Sequence, residues 1–218
     1  MANDEVQRLI DTVERFRGEH GCAWFEEQTH RSLAKYLVEE SAELIDAIET
    51  DNDAEMREEL GDVLFQVLFH ANVAAHRGAF TLDDVARDQT EKLLRRNPHV
   101  FGATPTRDIG EIIAMWEEAK AIEKRDRTSV LDGVSHAMPA LALAQKVLGR
   151  ASGLEVDTRG PESNDPEEAL GALLLTAVAA AREAGLDAER ALRGAIRGLE
   201  SRIRDAEQSA GRGVGNNG

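Results

Sequence analysis

The sequence predicts an all-α protein built as a helical bundle. Alanine, leucine and glutamate, which all favour helix, dominate its 218 residues. No segment shows the alternation of apolar and polar residues that is typical of a strand. Only five prolines interrupt the chain, and 31% of its residues are charged whereas 4% are aromatic. Together these observations favour packed amphipathic helices over a sheet.

Eight helices are predicted from apolar periodicity and from the residues that start and stop helices. The pattern Thr81-x-x-Asp84 resembles a capping box, and Asn97-Pro98 ends the same helix. Asp165 followed by proline is typical of a later helix start. The predicted helices span residues 3–18, 31–50, 54–77, 82–96, 108–125, 138–150, 166–184 and 188–208.

The chain divides by composition into a large helical domain, a polar linker, a helical hairpin and a disordered tail. The predicted ranges are 1–151, 152–165, 166–208 and 209–218. A weak internal repeat aligns the heptapeptide EELGDVL at 58–64 with EALGALL at 168–174. We interpret the hairpin as a degenerate second copy that packs or dimerises, although chance similarity between two alanine-rich helices is the alternative.

Charge and cysteine content exclude several classes of function. The formal net charge of −15 argues against nucleic-acid binding, which needs a basic surface. No run reaches the roughly 18 apolar residues of a membrane span. The N-terminus has no signal-peptide pattern, and Cys22 is the only cysteine, so we expect a cytoplasmic protein without an intrachain disulfide. We expect Cys22 to be a small buried side chain.

Two carboxylate clusters flank the polar turn at residues 50–53. They read Glu39-Glu40-x-x-Glu43 and Glu58-Glu59-x-x-Asp62, and residues three apart share a helix face. If the chain folds back at residue 51, an antiparallel helix pair sets Glu43 opposite Glu59 and Glu40 opposite Asp62. Four converging acids repel one another unless cations join them, and such oxygen ligands suit Mg²⁺ or Mn²⁺. The sequence therefore predicts a metal site at Glu40, Glu43, Glu59 and Asp62, whereas Glu55 and Glu58 also fit a solvated helix face.

The second acidic helix is expected to be buried. Between residues 60 and 75 it carries one formal charge, Asp62, and a helix that is apolar nearly all round is a core helix. Its apolar stripe leaves Glu59 and Asp62 to one side. We expect one face to lie in the bundle and another to line a shared pocket. The predicted stripe is Leu60, Leu64, Val67, Leu68 and Ala71.

Several motifs occur in the order found in one known family. The chain resembles the MazG branch of the all-α nucleoside triphosphate pyrophosphohydrolases over about residues 8–150. The motifs are CAW at 22–24, EQTH at 27–30, EELGD at 58–62, RRNPHVFG at 95–102, WEExK at 116–120 and SVLDG at 129–133. Phe25 departs from the family pattern because it stands where an aspartate is usual, and Asn97 stands where a histidine is usual.

The resemblance implies Mg²⁺-dependent hydrolysis of nucleoside triphosphates to the monophosphate and pyrophosphate by a dimeric helical bundle. It implies that Glu40, Glu43, Glu59 and Asp62 hold metal with Glu39 in support. It further implies that Lys92 and Arg96 meet phosphates, and that Trp116 and Lys120 line the nucleotide site. The second half, which lacks the acids, implies one type of working site per chain.

Residue chemistry is compatible with these roles but leaves alternatives. Arginine grips phosphate through two parallel bonds, although basic residues at a helix end also complement its dipole. Trp116 suits base stacking or core packing, and Trp24 suits either role. Glu40 and Glu43 are both candidates to take a proton from water, and the sequence does not choose between them. His70 and His99 are expected to be structural.

Three other functions compete with this interpretation. A di-iron carboxylate bundle needs two Glu-x-x-His pairs, and the chain has one, Glu27 with His30. A catalytically weak helical dimer that only binds nucleotide is the second. The third is a relative specialised for dUTP, dCTP or a phosphoribosyl-ATP.

Overall fold

The computed structural model describes residues 4–18, 20–158, 160 and 163–214, with side chains as far as Ser209. The described residues form ten α-helices and contain no strand, which confirms the all-α prediction. The chain separates into two compact units, Met1–Glu123 and Lys124–Gly218. Within the described part, no single helix has the length and apolar content to cross a membrane; only the bent pair Pro166–Glu183 with Ala188–Ser209 meets those criteria jointly.

Unit 1 contains seven helices. Two of them, α2 and α6, are absent from the sequence prediction because five and four residues are too few to show a helical period. The bounds are α1 Asp4–Arg15, α2 Ala23–Glu27, α3 His30–Glu49, α4 Asp53–His76, α5 Leu82–Arg96, α6 Pro98–Phe101 and α7 Ile109–Glu123.

The α3–α4 hairpin is specified by its caps and by a short turn. Thr29 starts α3 with a capping box, in which its hydroxyl accepts from the Ser32 amide. Asp51 has a φ of 53°, a left-handed conformation that aspartate tolerates in turns. The side chain of Asn52 then accepts from the Glu55 amide and starts α4. Three residues therefore reverse the chain, and α3 packs directly on α4.

The core of unit 1 lies between α3 and α4 at the end far from this turn. Leu33, Phe69 and Val73 are buried together, and Phe25, Tyr36 and Phe65 pack against them. The Phe25 ring also stacks on Phe16 with centroids 4.1 Å apart. Phe25, which stands where the family pattern has an aspartate, thus contributes apolar area to the core. Cys22, expected to be buried, is exposed.

Burial of α4 is one-sided, so the expectation of a buried helix holds for only one face. Leu68 and Ala71 of the predicted stripe are buried, whereas Leu60, Leu64 and Val67 are 53%, 39% and 42% exposed. The helices that pack on α4 are α1, α3 and α5, and they leave these three side chains partly open to solvent. We call the open side, together with its counterpart on α3, the apolar face. Its members are Leu37, Val38, Ile45, Ile48, Leu60, Leu64 and Val67.

Unit 2 contains α8 Ala140–Ala151, α9 Pro166–Glu183 and α10 Ala188–Val214, which pack on one another. The Asp165 side chain accepts from the amides of Glu167 and Glu168, as its predicted capping role requires. The structural division after Glu123 comes earlier than the predicted domain end at 151, so α8 lies in unit 2. The last helix also continues to Val214 through most of the predicted tail, whose residues 215–218 lie outside the described part.

Candidate metal and nucleotide site

Three of the four predicted metal ligands meet on the α3–α4 hairpin. Glu40, Glu43 and Glu59 each place a carboxylate oxygen within 4.8 Å of the others. Glu40 and Glu43 lie one turn apart on α3, and the short turn at residues 50–52 sets Glu59 of α4 beside them. We call these residues the acidic cluster. Glu40 and Glu59 are half-buried and Glu43 is exposed, so the cluster opens to solvent.

Asp62 lies at the edge of the acidic cluster. It is outside the group whose oxygens approach within 4.8 Å, but its charge contributes to raising the pKa of both Glu40 and Glu59. Glu39 is exposed and also acts on the pKa of Glu40. The structure thus brings Asp62 near the acidic cluster but outside the group of three oxygens.

The pKa values of Glu40 and Glu59 show that the acids repel one another. Desolvation raises the pKa of Glu40, and the charges of Asp62, Glu43 and Glu59 raise it further. The pKa of Glu59 is raised by desolvation and then by Glu43 and Asp62. A group of carboxylates in this state is relieved by a cation, which inverts the local charge.

The residues present fit a hard divalent cation. Oε2 of Glu59 is buried and has no hydrogen-bond partner among the described residues, so one ligand oxygen is unsatisfied in the free protein. All available donors are carboxylate oxygens, which Mg²⁺ and Mn²⁺ accept and softer metals do not select. His30 and His70, the nearest imidazoles on these helices, are engaged with each other through Nδ1 atoms 2.8 Å apart. This pairing is consistent with the predicted structural role of His70.

A second group of candidate residues lies between α5 and α7. The guanidinium carbon of Arg96 is 5.1 Å from the centroid of the Trp116 ring, within the range of a cation–π contact. Glu123 at the end of α7 accepts from both Arg96 and Arg95. We call Arg95, Arg96, Trp116 and Glu123 the arginine cluster.

The two predicted lysines lie on the same helices. Lys92 is half-buried one turn before Arg96. Lys120 is one turn after Trp116 and donates to both carboxylate oxygens of Glu117, at 2.8 and 2.9 Å. The structure therefore unites Arg96 with Trp116 and places both lysines beside them. Trp24 is 47% exposed, with its ring edge-on to Phe25 and Tyr36.

Sequence reasoning missed Glu123. It stands 27 residues from Arg96, and a glutamate near the end of a charged helix carries no signal of its own. The only usable hint is its position seven residues after Trp116, two turns along the same face. His30 pairing with His70, 40 residues apart, was missed for the same reason.

Comparison with known proteins identifies the family. Residues 28–101, which include the whole acidic hairpin, match the MazG nucleotide pyrophosphohydrolase domain. The chain is 41% identical to the nucleoside triphosphate pyrophosphohydrolase/pyrophosphatase MazG of Thermotoga maritima, over 93% of this chain and 85% of that protein. It is 36% identical to the nucleoside triphosphate pyrophosphohydrolase of Escherichia coli K12, over 94% of this chain and 88% of the relative.

A similarity of the same degree extends to a longer protein. The nucleoside triphosphate pyrophosphohydrolase of Mycobacterium tuberculosis is 42% identical over 93% of this chain and 59% of its own length. Among solved structures, the crystal structure of a mazG-related protein from Thermotoga maritima is 28% identical and covers 52% of this chain and 97% of its own, with a TM-score of 0.47. The relatives that align over most of both chains show that this protein belongs to the MazG family of nucleoside triphosphate pyrophosphohydrolases.

Proposed function

We propose that this protein hydrolyses nucleoside triphosphates to nucleoside monophosphate and pyrophosphate with Mg²⁺ bound at the acidic cluster. The observation that carries the proposal is the convergence of Glu40, Glu43 and Glu59 within 4.8 Å on a hairpin inside the matched family domain. The names of the relatives supply the reaction, and the orphaned oxygen of Glu59 supports the metal.

Each acid has a role in this proposal. Glu40, Glu43, Glu59 and Asp62 hold the metal, and Glu39 supports Glu40 from the adjacent position. Bound Mg²⁺ supplies neutralisation of the phosphate charge and activation of an attacking water. Glu40 or Glu43, whichever is less committed to the metal, takes the proton from that water.

The nucleotide is held by residues of α5 and α7. Arg96 and Lys92 are proposed to contact phosphate oxygens, and Lys120 adds a third cation. Trp116 is proposed to stack on the base through the ring face that Arg96 does not cover. This arrangement would bind the triphosphate, which all the nucleotides have in common, through charge. The base would be held by stacking, which accepts every base.

We also propose that the protein acts as a homodimer through the apolar face. Seven exposed apolar residues flank the acidic cluster on α3 and α4, with Val38 70% exposed. A second copy that covers this face would desolvate the surroundings of the acids and complete a pocket next to them. The expected result is a dimer by light scattering in solution, which Val38→Glu with Leu64→Glu converts to a monomer.

A product assay tests the reaction. The protein is incubated with ribo- and deoxyribonucleoside triphosphates, with and without Mg²⁺, and the products are separated by ion exchange. Monophosphate plus pyrophosphate, lost with EDTA and in Glu40→Ala but kept in the control Glu168→Ala on α9, is expected. Diphosphate plus orthophosphate would show that the cleavage chemistry is wrong. No turnover with Mg²⁺ or Mn²⁺ would favour a protein that only binds nucleotide, and turnover of dUTP or dCTP alone would favour a specialised relative.

A further inference from the structure

Glu123 bridges two arginines that come from another helix. Its Oε1 accepts from Nε and Nη2 of Arg95 at 3.3 and 3.2 Å, and its Oε2 accepts from Nε of Arg96 at 3.1 Å and from Nη2 of the same guanidinium. The Arg96 side chain is 11% exposed and that of Glu123 is 20% exposed, whereas Arg95 is 55% exposed. The sheltered part of the network is therefore the two-point contact between Arg96 and Glu123.

Arg96 is held on two sides at once. Glu123 fixes the Nε–Nη2 edge of the guanidinium, and the Trp116 ring lies 5.1 Å from its central carbon. A free arginine side chain samples many rotamers, and much of this freedom is lost when it binds phosphate. A guanidinium that is already oriented loses less side-chain freedom when it binds phosphate, and this smaller loss increases the affinity.

The charge of the network is compatible with an anionic ligand. The pKa of Glu123 is lowered, chiefly by the hydrogen bond from Arg96 and further by the charges of both arginines, so the carboxylate is ionised. Glu91 also lies 3.9 Å from Arg95, so the exposed Arg95 has a second acidic partner, whereas Arg96 is paired with Glu123. Both carboxylate oxygens of Glu123 accept hydrogen bonds from the arginines, so Glu123 acts on a phosphate through Arg96 and does not contact the phosphate itself.

We propose that Glu123 is a positioning residue that holds Arg96 against Trp116 in the orientation that receives the phosphates of the nucleotide. The inference rests on the proposed function, in which Arg96 is the phosphate contact. It adds that the end of α7 sets the nucleotide affinity of a cation on α5. A positioning role predicts a change in KM with little change in kcat, because the contact is the same in ground and transition states.

The test uses Glu123→Gln, which keeps the shape and removes the charge, and Glu118→Gln as the matched control. Glu118 is an exposed acid on the same helix that lies outside both clusters. Both changes are made in the 218-residue chain carrying Trp24→Phe, so that Trp116 is its only tryptophan and the fluorescence reports how well Arg96 covers that ring. KM and kcat are measured for the best nucleotide, and acrylamide quenching is measured without nucleotide.

Glu123→Gln is expected to raise KM about 10-fold and to leave kcat within about twofold, because the charge-assisted hydrogen bonds that orient Arg96 for the phosphates are weakened. Quenching of Trp116 should rise about twofold, because Arg96 no longer stays over the ring. Glu123→Asp, which keeps the charge, should recover part of both effects. In an Arg96→Lys background Glu123→Gln should add little, because the two residues act as one unit.

The outcomes separate the inference from the function on which it rests. Equal KM and equal quenching in Glu123→Gln and Glu118→Gln would overturn the positioning role while turnover of the parent protein upholds the proposed function. A lower KM in Glu123→Gln would also overturn it, since the carboxylate would then compete with phosphate for Arg96. If the parent has no turnover, the proposed function fails, and quenching alone still decides whether Glu123 fixes Arg96. If Glu123→Gln loses helicity, the comparison of Glu123→Asp with Glu118→Gln decides in its place.

Discussion

Helices α4 and α9 share a sequence pattern but differ in what they present. The segments 58–64 and 168–174 read EELGDVL and EALGALL, and a Cβ built on Gly61 or Gly171 meets nothing within 4 Å. Each helix is started by a side chain, Asn52 for α4 and Asp165 for α9. The two regions thus use the same local rules to make a helix.

The difference lies in the acids and in what covers them. Glu59 and Asp62 of α4 correspond to Ala169 and Ala172 of α9, and α8, which packs on α9, reads ALALAQKVLGRA without any acid. The chain at Gly160 runs so close to Ala172 that a Cβ on this glycine would lie 2.5 Å from the alanine side chain. The place that Asp62 occupies on α4 is therefore closed on α9.

This comparison separates residues that make the helix from residues that serve a ligand. Alanine is a better helix former than aspartate. Desolvation, and then repulsion from the neighbouring acids, raises the pKa of Glu40 and Glu59, so the acids do not help α4 to fold. Local choices that oppose stability are expected at functional sites. The proposed cation would explain the acids of α4, whereas folding does not explain them.

The largest expected effect comes from making α4 resemble α9. Asp62→Ala should reduce turnover by roughly 10³-fold or more, because removing one preorganised charge at a reacting centre costs about that much. Helicity should remain, since the substitution removes one of several repelling carboxylates and introduces a good helix former. Pyrophosphate release and far-UV circular dichroism measure the two effects. Full activity in Asp62→Ala, or loss of activity in the α9 control Glu168→Gln, would contradict the contrast between the helices.

The next effect compares the cores of the two units. Phe69 in α4 and Val178 in α9 are each 1% exposed. Phe69→Ala should cost about 3–5 kcal/mol and Val178→Ala about 2 kcal/mol, since fewer methylenes leave the second core. Both tryptophans, Trp24 and Trp116, belong to unit 1, so their fluorescence in urea reports on that unit alone. Val178→Ala should shift the circular dichroism transition and leave the fluorescence midpoint unchanged; an equal shift of both would show that the units unfold as one.

The main helices were predictable because their signals are local. Thr81 and Asp84 form the predicted capping box, Asp165 caps α9 and the α3–α4 turn falls at residues 50–52, as the patterns require. The meeting of Glu40, Glu43 and Glu59 followed from helical spacing and the length of that turn. Both sets of features depend on residues within one hairpin or one helix end.

The features that escaped prediction depend on contacts between distant residues. Periodicity places Leu60 and Leu64 on an apolar stripe but does not say whether another helix of this chain covers them. In the structure both side chains are exposed. The resemblance implies the phosphate role of Arg96, but it does not point to Glu123, which comes from another helix and accepts hydrogen bonds from Arg96. From the sequence, Phe25 is only a departure from the family motif. Its packing role could not be predicted, because the core that it contacts is assembled from α3 and α4.

Metal addition offers a third comparison of the two helices. If Mg²⁺ binds the acidic cluster with a Kd of about 1 mM, 10 mM Mg²⁺ should stabilise unit 1 by about 1.4 kcal/mol through mass action. Tryptophan fluorescence in urea measures the shift, and Glu59→Gln should abolish it. Ala169→Glu should not create a Mg²⁺ response in the circular dichroism transition of unit 2, which carries no tryptophan, because α8 supplies no opposing acid. A similar Mg²⁺ effect in Glu59→Gln would place the cation elsewhere.

The smallest effect concerns a titratable pair that unit 1 has and unit 2 lacks among the described residues. His30 and His70 share a hydrogen bond between Nδ1 atoms 2.8 Å apart, which needs at least one neutral ring. Desolvation, and then the charge of His30, lowers the pKa of His70 below 6.5. Below pH 6.5 the unfolded chain therefore binds more protons than the folded one, so stability rises with pH through this window and is lost as pH falls.

The free energy of unfolding should fall by less than about 1 kcal/mol between pH 7.5 and pH 5.5, because solvent reaches part of the His70 ring and screens its charge. Urea midpoints from tryptophan fluorescence at the two pH values should differ in the parent protein and differ less in His70→Gln. His136 in unit 2 is exposed, so His136→Gln is the matched control and should behave as the parent does. An undiminished pH effect in His70→Gln would assign the acid sensitivity of unit 1 to its carboxylates. The contrast between the two units would then rest on the acidic cluster alone.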